Sequence, residues 1–136
     1  MLQKKIKILL IEDDRIEVIK FNRAISSEFS SFIISLASNG KEALSLLQTS
    51  IPDIILLDLN MPDTNGIDFL KSVNNIPKLK HIPIIVLTTS NNSIDIKECY
   101  RLGISGYLVK SLKYEDYEIK INAILKYWSL NEFIHK

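Results

Sequence analysis

The sequence predicts an α/β fold, a doubly wound five-stranded parallel sheet with five helices. Three observations lead there. Residues 6–11 (IKILLI), 54–57 (IILL) and 84–87 (IIVL) are nearly continuous apolar runs, the mark of strands buried on both faces. Each run ends in polar or turn-forming residues and is followed by apolar residues at helical spacing. Strand and helix signals thus alternate along the chain, which calls for a parallel sheet with helices on both faces. Right-handed crossovers then bring the carboxyl ends of all strands to one edge.

The first strand, residues 6–11, runs into Glu12, Asp13 and Asp14. A helix over residues 15–28 follows, its stripe drawn through Ile16, Val18, Ile19, Phe21 and Ile25 and continued by Phe29. Asp14 fits its N-cap, with Glu17 reaching back from three positions later. Residues 32–36 form a second, structural strand towards the sheet's border. Ala43, Leu44 and Leu47 mark a helix over residues 40–48, and Pro52 stops any continuation. The central strand, residues 54–57, delivers Asp58 and ends in a loop forced by Asn60, Pro62, Asp63, Asn65 and Gly66. Ile67, Leu70 and Val73 mark the third helix, and a loop with two prolines spans residues 74–83. The strand at 84–87 ends in Thr88, Thr89 and Ser90. Asn91 and Asn92 lead into a helix through Leu102, closed by Gly103 as a left-handed C-cap. A short strand at 107–109 ends in Lys110, and a helix over about residues 115–130 completes the fold.

At 136 residues the chain suits one domain, residues 1–136, with a core over about residues 5–130 and a tail at 131–136. Its 17 Lys and Arg against 16 Asp and Glu, a formal charge of +1, give no footprint for nucleic acid. The single Cys99 excludes an internal disulfide framework and suits a reducing compartment. The apolar run at 6–11, cut off by three acids, is too short for a signal peptide, and no run approaches a membrane span. These features predict a cytoplasmic protein.

The topology gathers Glu12, Asp13, Asp58, Thr88 and Lys110, from four strands, at one sheet edge, where open α/β sheets bind ligands. Carboxylates about 4 Å apart repel by on the order of 4 kcal/mol per pair at an effective dielectric near 20. Lys110 offsets part of this, and a divalent cation would offset more. All-oxygen donors without His or Cys indicate a hard ion, with Mg2+ suiting a site that keeps waters and a phosphate. A metal, a lysine and a hydroxyl around one carboxylate are equipment for phosphoryl transfer, with Asp58 as the nucleophile.

With these residues in place the sequence resembles the response-regulator receiver domains of two-component signalling. ILLIEDD, SNGKEAL, PDIILLDLNMPDTNG, PIIVLTTS and GYLVK occur in the family's order, with Thr88 thirty residues after Asp58 and Lys110 twenty-two after Thr88. The resemblance implies strand order 2-1-3-4-5, as in the flavodoxin-like receiver fold. It implies Asp58 as phosphoacceptor from a histidine kinase or a histidine phosphotransfer protein, and a catalytic apparatus limited to the domain's own phosphorylation and dephosphorylation. It further implies that Mg2+ is held by Asp13 directly, by Glu12 through water, by Asp58, and by the backbone carbonyl of Asn60. Thr88 and Lys110 match the hydroxyl and ammonium that bond phosphoryl oxygens, and Tyr107 the aromatic switch that follows Thr88. Asn60 and Ser90 match positions whose side chains tune the phosphoryl lifetime. One departure is Ser111, where the family usually has proline, often in a cis bond. A cis bond before a non-proline residue costs about 2.5–4 kcal/mol, so Lys110–Ser111 is expected to be strained, or trans with Lys110 re-aimed.

Other residues have plainer readings. Asp14, Asp63 and Asp68 fit helix caps or loops, Cys99 a small core residue, Lys4, Lys5 and Lys7 a solvated border, and His81 and His135 loop positions. In the last helix Tyr117, Ile121, Ile124 and Trp128 mark one face, while Ile119, Ala123, Tyr127 and Leu130 mark another, continued by Phe133 and Ile134. That second face reads as a homodimer or downstream-partner surface, or as one covered by the folded-back tail. The ending AILKYW plus an apolar tail also resembles single-domain receivers paired with phytochrome-type histidine kinases. The alternative to a phosphorylated regulator is a pseudo-receiver scaffold that takes no phosphate, favoured only by Ser111. A phosphoaspartate-type hydrolase would need an aspartate where Asn60 stands. A nucleotide carrier would need a phosphate-cradling loop where Glu12, Asp13 and Asp14 stand.

Overall fold

In the computed structural model, which describes residues 5–25, 32–61 and 65–134, the strands β1 (Ile6–Ile11), β2 (Phe32–Ala37), β3 (Ile54–Leu57), β4 (Ile84–Thr88) and β5 (Gly106–Val109) pair in the order β2-β1-β3-β4-β5. Every pairing is parallel. Lys4, Glu28, Phe29, Pro62, Asp63 and His135 lie outside the described residues.

Alternation within the apolar runs builds the two layers. Successive strand residues point to opposite faces, so Leu9, Ile11, Ile55, Leu57 and Val86 join one core. Ile8, Leu10, Ile54, Leu56, Ile85 and Leu87 join the other. Helices α2 (Gly40–Leu47), α3 (Gly66–Asn74) and α4 (Ser93–Arg101) cover the first face through Ala43, Leu47, Phe69, Leu70, Val73 and Cys99. Helices α1 (Arg15–Ala24) and α5 (Tyr114–Ser129) cover the second through Phe21, Ala24, Tyr117, Ile121 and Leu125. Both faces need cover, which is why β3 contains no polar residue before Asp58.

Four helices begin at the carboxyl edge with an Asx cap. Asp14, Asn39, Asn65 and Asn92 accept from the backbone N–H groups of Ile16, Glu42, Ile67 and Ile94 at 2.8–2.9 Å, satisfying donors that have no intrahelical partner. Gly103, at φ 92°, closes α4 as expected. Gly66 is required by close approach: a Cβ there would lie 2.8 Å from the Leu59 Cα and 2.9 Å from the Asp58 carbonyl oxygen. The start of α3 is thereby pressed against the chain just past Asp58.

Several expectations are corrected. Helix α1 ends at Ala24, with Ile25 as its C-cap, short of residue 28. Ile16 and Ile19 are exposed, because a helix turning about 100° per residue that buries Phe21 and Ala24 puts them on the far side. Glu17 does not reach back to cap α1; it pairs with Lys110 on β5's end. The loop at 74–83 holds a short 3-10 turn, Pro77–Leu79, whose Leu79 is buried. Phe133 does not continue the outer face of α5: it stacks on Trp128 at 6.1 Å and packs with the α1/α5 core, whereas Ile134 is exposed. Ile119, Tyr127 and Leu130 remain exposed. No helix among the described residues is long and apolar enough to cross a membrane.

Two outcomes test this packing. Gly66→Ala should lower stability in urea by about 1–3 kcal/mol, since the clash is with backbone that no rotamer change relieves. The Cys99 thiol is pushed up to about 11 by burial, with the charges of Asp95 and Glu98 adding to it. Native protein should therefore resist alkylation at pH 8, where the thiol is both protonated and inaccessible, and react at once when denatured.

Candidate functional site

The carboxyl edge is assembled by residues that directly follow strands, each held by a last backbone bond to the neighbouring strand. The Glu12 N–H donates to the Ala37 carbonyl at 3.0 Å, that of Asp58 to Ile11 at 3.1 Å and that of Lys110 to Thr88 at 2.7 Å. Ladder pairing thus fixes where these side chains leave the sheet. Asp58 is 7% exposed and Glu12 4%, while Thr88 is fully buried.

Glu12, Asp13 and Asp58 each offer a carboxylate oxygen within 4.8 Å of the others. Of the three, Asp13 is exposed. An all-oxygen donor set with one solvent-facing member fits a hard divalent cation that retains water. The Asn60 N–H donates to Asp58 Oδ1 at 3.2 Å, holding the carboxylate from the following loop.

Lys110 is the cation of the site, its side chain 6% exposed. Its peptide bond to Ser111 is trans, as are all others described. The ammonium contacts the end of β1 and α1: Nζ donates to Glu12 Oε1 at 2.8 Å and lies 2.9 Å from Glu17 Oε1. Asp58 acts on it through charge. Of the two expected arrangements, a trans bond is therefore the one realised. Burial opposes the ammonium charge, but the hydrogen bond and charge of Glu12, then Glu17 and Asp58, outweigh it and raise the Lys110 pKa. Burial pushes Glu12 up to about 7 against the pull of Lys110, with Asp58 adding to the rise.

Thr88 and Tyr107 belong to one polar chain. The Asn60 side-chain amide donates to Thr88 Oγ1 at 3.1 Å and to Thr89 Oγ1 at 3.2 Å. The Ser90 N–H reaches Thr88 Oγ1 at 3.4 Å, and the Tyr107 hydroxyl donates to the Ser90 carbonyl at 2.9 Å. Ser90 Oγ donates to Asp95 on α4 at 3.0 Å. The loop after β4 thus links Asn60, Thr88, Tyr107 and α4.

All seven residues singled out in the sequence, Glu12, Asp13, Asp58, Asn60, Thr88, Tyr107 and Lys110, lie at or beside this edge. Glu17 was missed as a partner of Lys110. Its signal was an acid in the first turn of the helix that follows the acidic cluster, a place that reads equally well as a capping residue.

A response regulator receiver domain model matches residues 8–122. The chain belongs to this family. The receiver is similar to the probable methanogenesis regulatory protein FilR2 of Methanothrix harundinacea, 32% identical over 127 residues covering 89% of this chain and 82% of that protein. It is similar to response regulator Rcp1 of Synechocystis, 31% identical over 128 residues covering 89% and 87%. Among solved structures, the phosphorylated cyanobacterial phytochrome response regulator RcpA superimposes with a TM-score of 0.90 at 30% identity, over 96% of this chain and 99% of that one. The Mn2+-bound form of Rcp1 gives 0.88 at 29% identity, with the same coverage. The expected fold and its 2-1-3-4-5 order hold, as does the resemblance to phytochrome-associated receivers.

Lys110→Met should destabilise the receiver by about 3–5 kcal/mol in metal-free urea melts, because Glu12 loses the cation that offsets it. Glu12→Gln should cost less, since Lys110 keeps Glu17.

Proposed function

We propose that this receiver takes a phosphoryl group on Asp58 from a histidine kinase or a histidine phosphotransfer protein and answers by changing its protein contacts. The convergence of Asp58, the acidic pair, Thr88 and Lys110 on one edge carries this reading. An Asp58 oxygen attacks phosphorus in line, the O–P bond forms as the donor histidine's N–P bond breaks, and the imidazole leaves with the bonding pair. Glu12, Asp13, Asp58 and the Asn60 carbonyl would hold Mg2+, which when bound neutralises charge on the phosphoryl oxygens. The existence of a Mn2+-bound form of Rcp1 supports binding of a divalent ion. The domain is not an enzyme in the ordinary sense; it serves its own phosphorylation and dephosphorylation.

The Thr88 hydroxyl accepts from Asn60 and Ser90, leaving its proton for an acceptor on Asp58. Phosphorylation adds roughly −1.5 to −2 charge, which draws Thr88 and, through Ser90, shifts the anchor of Tyr107. A change at Asp58 then reaches α4, β5 and α5 as a population shift. The pseudo-receiver alternative rests on Ser111 alone, and the gathered carboxylates of Glu12, Asp13 and Asp58 support a phosphorylated receiver instead.

A phytochrome-type kinase is the partner that the likeness to RcpA and Rcp1 favours. The exposed Ile119, Tyr127 and Leu130 on α5 provide a surface for a second copy or a downstream protein. The near-neutral chain is not built to bind nucleic acid, and a cytoplasmic site suits its buried free Cys99.

Intact-protein mass after incubation with acetyl phosphate and Mg2+ should show one phosphoryl adduct, absent in Asp58→Asn and in metal-free samples. No adduct, together with no uptake of beryllofluoride, would overturn the reading. Tyr127→Glu with Leu130→Glu should abolish self-association in sedimentation while leaving thermal stability nearly unchanged; association that persists would assign the interface elsewhere.

A further inference from the structure

Glu17 lies on α1, outside the group of residues that would hold metal and phosphoryl, yet it touches the cation of the site. Its Oε1 is buried and 2.9 Å from Lys110 Nζ, but without the alignment of a hydrogen bond. Its Oε2 faces solvent-side Lys20 at 3.8 Å. Lys110 has three N–H donors. One is committed to Glu12 at 2.8 Å, and the ammonium as a whole is drawn towards α1 by the second carboxylate. Lys110 is thus held by two anions, Glu12 at the end of β1 and Glu17 on α1, while Asp58 acts on it only through charge.

We propose that Glu17 is a positioning residue that holds Lys110 back in the unphosphorylated receiver and gives it up to the phosphoryl group. This deepens the phosphoacceptor reading and rests on it. Of the two anions, Glu17 is the one that yields, because its contact is misaligned and Lys20 stands ready to take its charge. Transfer of Lys110 from Glu17 to a phosphoryl oxygen couples the state of Asp58 to α1. Holding Lys110 against Glu17 lowers the receiver's affinity for phosphoryl groups, so the charge of Glu17 sets how readily the site is filled.

The test is a double-mutant cycle on the full chain, read by calorimetric titration with beryllofluoride in the presence of Mg2+. Glu17→Gln should bind about tenfold tighter than the parent, the low end expected for one poorly aligned charge-assisted contact. Glu17→Asp, which keeps the charge, should fall back towards the parent. Lys110→Met should bind about tenfold weaker or worse. In the Lys110→Met background, Glu17→Gln should change affinity by less than about twofold, because Glu17 acts only through the lysine. Unchanged or weaker binding by Glu17→Gln overturns the proposal. So does a gain that persists without Lys110, which would mark a general effect of removing negative charge. Failure of the parent to bind would instead overturn the phosphoacceptor reading. The tether is then judged by the same cycle in urea melts, where coupling of about threefold or more in the unfolding constant supports it and less overturns it.

Discussion

Burial of β3 on both faces is the constraint on which the rest of the structure depends. Ile54, Ile55, Leu56 and Leu57 are each almost wholly inaccessible, alternating between the two cores. The strand cannot shift by one residue without exchanging those faces. Asp58 follows without a break, and its N–H continues the ladder to Ile11. The position of the carboxylate is thus set by the packing of a strand, and Gly66 allows the start of α3 to close behind it.

The charges at the edge then have to accommodate one another. Three carboxylates, Glu12, Glu17 and Asp58, act on one well-buried lysine, and Asp13 lies beside Glu12 and Asp58. Lys110 is stabilised as a cation by that company, whereas Glu12 carries a desolvation penalty that the lysine only partly relieves. An arrangement so rich in negative charge is suited to a divalent ion and to a ligand that competes for Lys110. The polar chain from Asn60 through Thr88 and Ser90 to Tyr107 extends the site's reach to β5 and α4. Events at Asp58 and the outer surface are therefore connected by contiguous hydrogen bonds.

The strands were legible because burial on both faces leaves a run such as IILL that little else produces. Helix starts were legible where an Asx residue stands at the sheet edge, as at Asn92, and the α4 stop where Gly103 supplies a positive φ. The apolar face of α1 was not. Ile16 and Ile19 are as hydrophobic as any core residue, and only the docking of Phe21 and Ala24 shows that they point outward. The place of Phe133 was left open for a similar reason: it is apolar wherever it packs, and its stacking on Trp128 is a tertiary contact.

By itself the sequence determined the alternation of strand and helix, the edge at which Asp58, Glu12, Asp13, Thr88 and Lys110 meet, and the oxygen-only chemistry available there, because these follow from local pattern and right-handed connection. Tertiary structure alone decided which anion Lys110 takes, how Asn60 and Thr88 join, and which face of α1 and α5 is left open. Those outcomes depend on distances between residues as far apart in the chain as Glu17 and Lys110. A side chain with several partners within reach chooses by geometry and burial, and neither is written in the order of the residues.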